Sequence, residues 1–269
     1  MTAGRPEIAA AFDARAATYA RNDWHLRAAE RLIELCHLPP GSRVLDAATG
    51  TGFAAIAAAR AAGPSGAVVG ADLSAGMLRE AANARVASGL STIELIQGDV
   101  TSLPQFAAGS FDVVTCASGL LYMPVASALR EWHRLLRPGG TVAFSEMAAG
   151  SPPAAQLFRD VAMTFDLTLT DPCAALGSAD AVRAALDTGR FEVVAIAVEP
   201  VVFSTRDFEQ AWEANFRSPG HAPVLQLPDH QRSEFRARYL DALAHLEREA
   251  PHRLAESQVI YAVGRKPQT

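Results

Sequence analysis

Val44-Leu45-Asp46-Ala47-Ala48-Thr49-Gly50-Thr51-Gly52 decides the fold of this chain. An apolar run that reads as a strand meets an acid, then a glycine pair, then the alanine-rich stretch 53–62, which reads as a helix. Strand, glycine-rich turn and helix in that order make a nucleotide-binding crossover. Amides exposed at a helix N-terminus suit a phosphate or a carboxylate. The acid just before the glycines alters that choice. A carboxylate at Asp46 repels a pyrophosphate and welcomes a cationic amine or sulfonium, which points to S-adenosylmethionine rather than NAD.

On the N-terminal side, Pro6 suits a helix start and residues 8–19 read as a short helix. Residues 24–37 read as a second, amphipathic helix with Leu26, Ala29, Ile33 and Cys36 on one face, stopped by Pro39-Pro40-Gly41. On the C-terminal side an alternation follows. Strands are expected at 43–47, 67–71, 92–97, 111–116 and 141–147, with helices at 52–62, 75–88 and 125–136, the last closed by Arg137-Pro138-Gly139-Gly140. This alternation predicts a parallel sheet with helices on both faces. Val68-Val69 and Val113-Val114 are unbroken apolar pairs, as strands covered on both sides require.

After Gly150-Ser151-Pro152-Pro153 the rhythm changes. Helices are expected at 154–167, 178–188, 206–216 and 229–249, and strands at 191–198 and 258–264. The expected architecture is a doubly wound α/β fold, a mostly parallel seven-stranded sheet with a helical cap, in a single domain spanning 1–269. The core sheet takes about 40–150 and 188–265; the cap takes 1–38, 151–180 and 205–250.

Composition narrows the function. The chain has 269 residues, 49% hydrophobic and 20% charged, an ordinary globular balance. A formal net charge of -5 argues against a general nucleic-acid binder. Cys36, Cys116 and Cys173 are odd in number and lack metal-like spacing, so they read as buried thiols in a reducing compartment, with no metal site. No basic-then-apolar leader opens the chain and no apolar run approaches the ~20 residues of a membrane span. The expectation is a soluble cytoplasmic protein with no membrane association. Abundant Ala and Arg with scarce Lys suggest a GC-rich bacterial genome.

Gly50, Gly52 and Ala55 satisfy the G-x-G-x-x-A form of the dinucleotide fingerprint, with Asp72 twenty residues past Gly52. Taken alone, this serves NAD as well as an adenosyl cofactor. The glycines permit a tight turn and close approach of backbone to ligand. Asp72, ending the second strand, is placed to accept from both ribose hydroxyls. Asp99 closes the third strand in Ile96-Gln97-Gly98-Asp99-Val100, where an acceptor can bind the exocyclic amine of adenine beside the Val100 amide.

With these motifs in order, the chain resembles the class I S-adenosylmethionine-dependent methyltransferases. Within them it is similar to the small-molecule branch related to ubiquinone and menaquinone biosynthesis. The matching segments are Val44 to Gly52, Gly70-Ala71-Asp72-Leu73-Ser74, Met77-Leu78, Gln97-Gly98-Asp99-Val100, Phe111-Asp112-Val113-Val114 and Leu136-Arg137-Pro138-Gly139-Gly140. The resemblance implies that Asp46, Ala47 and Gly50 line the methionine end, with Thr49, where many members carry a glycine or cysteine, and Gly52 also among the cofactor-binding residues, and that Asp72 holds the ribose. It places Leu73 and Met77 near the adenosyl group, Asp99 and Val100 at the adenine, and the backbone carbonyl of Cys116 at the ligand's amine. Tyr19, in Phe12-Asp13-x5-Tyr19, matches a tyrosine that closes over the methionine end. Leu121-Tyr122 stand where relatives often carry two histidines.

Methyl transfer from a sulfonium is an in-line displacement of an activated group, so positioning the acceptor and excluding water are the main tasks. A general base helps a phenol or carbon acid. Candidates are Tyr122 and Glu146, after strands four and five, with His25 in the N-terminal region and His221 in a Pro/Gly-rich loop. Apolar residues of the cap, among them Phe158, Phe203, Phe208, Trp212 and especially Val224 to Leu227, suggest an apolar or aromatic small-molecule acceptor, its methylated atom O, N or C. Secondary metabolism is a plausible setting, and the sequence leaves a homo-oligomer open. The rivals are a protein that uses bound S-adenosylmethionine to promote a cyclisation or rearrangement, an NAD-dependent oxidoreductase, and a non-catalytic binding protein on the same fold.

Overall fold

Each strand of the crossover carries alternate side chains into two different cores. Val44, Val68 and Val113 pack with the small side chains of one helix layer, while Leu45, Val69 and Val114 pack with the other. The computed structural model describes residues 4–20, 23–203, 211–250 and 256–268. In it β1 (Arg43–Ala47), β2 (Ala67–Asp72), β3 (Ile93–Gln97), β4 (Phe111–Ala117) and β5 (Leu136–Met147) run parallel. Strands β6 (Glu192–Val202) and β7 (Glu256–Arg265) complete a seven-stranded sheet in the order β3-β2-β1-β4-β5-β7-β6. β7 is antiparallel to both neighbours. The expected fold class is therefore the observed one.

The layer that includes α3 (Asp23–Cys36) and α4 (Phe53–Ala62) covers one face. Ala54, Ala55, Ala58, Ala59 and Ala62 let α4 lie close on the strands. The face of α3 that is buried runs through Trp24, Ala28, Ala29, Leu32, Ile33 and Cys36, and the expected member Leu26 is exposed. α6 (Val125–Leu135) and α8 (Ala179–Thr188) cover the other face through Leu129, Trp132, Val182 and Leu186. α5 (Ala75–Ser88) follows β2 and is capped by Ser74, whose side chain accepts from the Met77 amide. Outside the sheet, α7 (Pro153–Met163), α9 (Ala211–Phe216), α10 (Ala222–Leu225) and α11 (Asp229–Glu249) enclose a core of their own around Phe158, Phe235 and Tyr239.

Several boundaries differ from expectation. Residues 8–19 are two helices, α1 (Arg5–Asp13) and α2 (Ala16–Tyr19), broken where the Asp13 carboxylate leaves to accept from the Ser74 hydroxyl (2.6 Å) and the Gly76 amide (2.7 Å). The helix expected at 154–167 stops at Met163, and Asp166 turns left-handed. Residues 137–140, expected as a plain turn, sit inside β5 as an irregularity where the pairing jumps from Phe111–Leu136 to Val113–Thr141. Of the helix expected at 206–216, residues 206–210 and with them Phe208 lie outside the described residues. No described helix is long and apolar enough to cross a membrane.

Trp132 ties this frame to the loop after β3: its ring is fully buried and its Nε1 donates to the Val100 carbonyl at 3.0 Å. Trp132→Phe removes that donor from a buried carbonyl and should cost about 1–3 kcal/mol. Urea denaturation should show a lower midpoint with the slope unchanged; an unshifted midpoint would mean the loop finds another partner.

Candidate functional site

The sheet order reverses between β1 and β4, and the ladder joining them ends at Asp46–Thr115. The strands part beyond that pair, and the crevice at their carboxyl ends is the expected ligand site of a doubly wound sheet. Both neighbouring chain ends leave in the left-handed conformation, Ala48 at φ 56° and Ser118 at φ 56°. A left-handed non-glycine residue costs on the order of 1 kcal/mol or more, a strain that clusters at functional sites. Close packing explains part of it: a Cβ on Gly119 would lie 2.7 Å from the Ala48 Cβ.

Asp46 is buried behind the loop. One carboxylate oxygen accepts from the Thr49 hydroxyl at 2.6 Å and the other from the Thr115 hydroxyl at 2.9 Å. Burial pushes its pKa up to about 6, with the nearby charge of Asp72 adding to the rise. Asp72 accepts from the Gly50 amide at 2.8 Å and the Ser74 amide at 2.9 Å, and burial raises its pKa also. Among the described residues neither acid is paired with an arginine or lysine. Gly50 has φ 54°, and a Cβ there would project into open space; Gly52 has φ 89° and caps α4 against Ala81. Ala47, Thr49, Met77, Val100 and Cys116 are buried around this loop and Leu73 is half-buried. Burial holds the Cys116 thiol well above its ordinary range. Asp99 accepts from the Thr101 amide and hydroxyl and pairs with Arg5 of α1 at 2.8 Å. Through Arg5 and Asp13, the N-terminal segment lies across the strand ends.

Beside the crevice is a cavity of about 160 Å³, walled by α1–α3, the ends of β4 and β5, α7 and α9. It brings together Tyr19, His25, Tyr122 and His221 from four separate parts of the chain. His25 lies between two rings, stacked on Tyr19 at 4.4 Å and tilted on Trp24 at 3.7 Å. Burial drives its pKa down to about 3, so it is neutral. Burial also pushes Tyr19 up to about 12 and Tyr122 well above the ordinary phenol range, so both stay protonated. His221 is stacked on Phe158 at 4.8 Å and its Nδ1 lies 2.7 Å from the Asn215 carbonyl. A carbonyl only accepts, so Nδ1 bears the proton and Nε2 presents a lone pair. That Nε2 is buried and has no partner. Burial lowers the His221 pKa to about 4.

Two expectations change. Glu146 does not line the cavity. Met147 does, and alternate residues of a strand face opposite sides, so Glu146 points with Phe144 into the other core. It is fully buried with the backbone amides of Leu120 and Leu121 near its carboxylate, and burial pushes its pKa up to about 8. Residues 224–227 do not line the cavity either: Val224 and Leu227 pack into the cap core and Leu225 is exposed. The apolar wall comes instead from Phe12, Trp24, Leu121, Met147 and Phe203.

Sequence reasoning passed over Asp13, Arg15, Arg159 and Asn215. Arg15 stands four residues before Tyr19, hence on the same helical side, and Arg159 interrupts the apolar face of α7. Both were signals of a charge turned inward. Arg159 is buried and bonds Gln156 at 2.8 Å and Asp171 at 3.4 Å. Among the described residues no group of three or more His, Cys, Asp or Glu side chains is placed to hold a metal.

Residues 44–140 match the family model described as "Methyltransferase domain". This segment is a methyltransferase domain. Demethylmenaquinone methyltransferase of Geobacillus kaustophilus is 40% identical over 117 residues, 43% of this chain and 50% of that protein. Nocamycin O-methyltransferase of Saccharothrix syringae is 39% identical over 115 residues, 42% of this chain and 41% of that protein. The chain thus spans about half the length of the curated relatives it matches. An Aquifex aeolicus S-adenosylmethionine-dependent methyltransferase shares the fold at TM-score 0.54 and 15% identity, covering 91% of this chain and 92% of that one. The [4+2]-cyclase SpnF shares it at TM-score 0.57 and 22% identity, covering 90% and 82%. The methyltransferase domain contains the crevice residues from Asp46 to Cys116, while much of the cavity wall comes from outside it.

The buried groups make stability depend on pH in two opposite senses. Glu146 has a raised pKa, so its contribution is present below the ordinary carboxylate value of 4.5 and is lost as pH rises through about 8. Glu146→Gln should flatten the decline of Tm between pH 4.5 and 8; a variant that declines as steeply as the parent would show Glu146 is not the source. His221 has a lowered pKa, so the unfolded chain takes up its proton first and stability falls as pH drops from 6.5 to about 4. Nitrogen-15 shifts should find His221 neutral at pH 5.5 with the proton on Nδ1; an imidazolium signal there would contradict the assignment.

Proposed function

We propose that this chain is an S-adenosylmethionine-dependent methyltransferase acting on an O, N or C atom of a small, largely apolar or aromatic molecule. The observation that carries this reading is the pair Asp46 and Asp72, a buried and a half-buried carboxylate whose pKa values burial raises, the charge of Asp72 adding to the rise at Asp46, with no described cation paired with either. They favour a cationic ligand and oppose a pyrophosphate. The rest of the crevice fits. Open space at Gly50 leaves room for a ligand against the backbone. Asp72 uses two of its roughly four lone-pair sites on Gly50 and Ser74, leaving two for ribose hydroxyls. Asp99 reads adenine after parting from Arg5, an exposed pair worth only ~0–1 kcal/mol. Relatives named for demethylmenaquinone and nocamycin support a small-molecule acceptor.

Bound S-adenosylmethionine supplies an activated methyl group on a sulfonium. The protein's part is to position and to exclude water. The Tyr122 phenol stands in the cavity wall as a hydrogen-bond donor for the acceptor, and the rings of Phe12, Trp24 and Phe203 keep the space dry. Both histidines are weak bases as they stand, so orientation contributes more than proton removal.

Calorimetric titration with S-adenosylmethionine, S-adenosylhomocysteine and NAD tests the cofactor. Micromolar binding of the first two and none of NAD is expected. Asp72→Ala should weaken S-adenosylmethionine by about 1–3 kcal/mol, and Gly50→Val should abolish binding in a folded protein. Unchanged affinity in both variants would move the cofactor elsewhere. Product analysis completes the test: a methylated product with S-adenosylhomocysteine supports the reading, and a rearranged product without it would replace it.

A further inference from the structure

On the reading of the cavity as the acceptor site, its charge rests on few groups. The ionisable residues in the wall are Arg15, Tyr19, His25, Tyr122, Arg159, Asp171, Cys173 and His221. The phenols and imidazoles are neutral for the reasons given above, and burial raises the Cys173 thiol to about 12. Arg159 and Asp171 offset one another at 3.4 Å, and Asp171 is also engaged by the amides of Gly150 and Cys173. Arg15 alone is left. Its guanidinium lies 5.5 Å from the centroids of both Phe12 and Tyr19 and no described carboxylate pairs with it. Its charge opposes protonation of His25 and His221 and favours the ionised form of Tyr122, which places it among all three.

A half-buried guanidinium supported only by aromatic faces lacks a hydrogen-bonding partner of the kind it serves best. Guanidinium binds a carboxylate or another anionic oxygen through paired N–H donors and stacks on rings without using them. The wall thus presents one cationic donor without a described counter-charge, set against the aromatic surface of Phe12 and Tyr19. The volume of about 160 Å³ is close to the ~150 Å³ known to admit a benzene ring.

We infer that the cavity takes an aromatic acceptor that carries an anionic oxygen, held by Arg15. A neutral analogue of the same shape leaves the guanidinium without its anion and binds less well. The anionic oxygen can belong to a carboxylate or to an acidic enol; both offer Arg15 the same chemistry.

The test uses the full chain with S-adenosylhomocysteine present and calorimetry as the readout. The probes are 3-hydroxybenzoate and 3-hydroxybenzamide, with a six-membered cyclic 1,3-dione as the enolate arm. The benzoate should bind at least ten-fold more tightly than the amide. Arg15→Gln should erase that preference while amide binding, which reports an intact cavity, is kept; Arg15→Lys should restore part of it. Binding of the dione with the same dependence on Arg15 extends the class to enolates, and binding of the benzoate alone confines it to carboxylates. Equal affinity for benzoate and amide in the parent, a preference that survives Arg15→Gln, or failure of every probe would overturn the inference. These outcomes leave the cofactor reading standing, because that reading fails only if S-adenosylhomocysteine itself does not bind.

Discussion

Asp46 and Asp72 sit at the carboxyl ends of the adjacent strands β1 and β2, the first buried and the second half-buried, with no described cation paired with either. Keeping a carboxylate there requires hydrogen bonds to replace its hydration. The protein supplies them from the loops that form the crevice: two threonine hydroxyls for Asp46, two backbone amides for Asp72. The acids therefore shape the crevice as well as charge it. Asp72 fastens the glycine loop after β1 to the start of α5, and Asp46 fastens the same loop to β4. A ligand that brings positive charge relieves the cost of burying both, which is why the geometry and the electrostatics point to one class of cofactor.

The sheet was legible because its signals are local and repeated. Strands β1 and β2 carry apolar side chains on both faces and an acid at or beside their last residue, and the alanine-rich α4 packs closely against them. The crevice residues share this legibility, since each sits at the end of a strand. The acceptor cavity does not. Phe12, Ser118, Met147, Arg159 and His221 are far apart in the chain and meet only through the packing of the cap. Glu146 shows the limit most clearly. Its place at the end of β5 was readable, but the parity that turns it away from the cavity depends on the register of β5. The two-helix N-terminus was missed for a similar reason: Asp13 breaks the helix to reach Ser74, a contact 61 residues distant.

Buried polar groups are distributed unequally between these regions. In the crevice every carboxylate oxygen of Asp46 and Asp72 has a partner, and the groups are positioned before any ligand arrives. In the cavity His221 Nε2 is unpaired and Arg15 rests on aromatic faces. An unpaired buried group costs free energy, which favours ligands that satisfy it. The first region is built for one ligand shared across many proteins; the second holds the discriminating contacts.

The segment from Arg5 to Tyr19 belongs to both regions. Arg5 and Asp13 fasten it over the crevice, while Phe12, Arg15 and Tyr19 on the same short stretch wall the cavity. Lifting it to admit a cofactor takes down one side of the acceptor chamber; laying it back rebuilds that side around whatever lies beneath. On the proposed reading, a molecule built this way takes its cofactor before its acceptor and releases the spent cofactor last, because the same short segment roofs the one and walls the other.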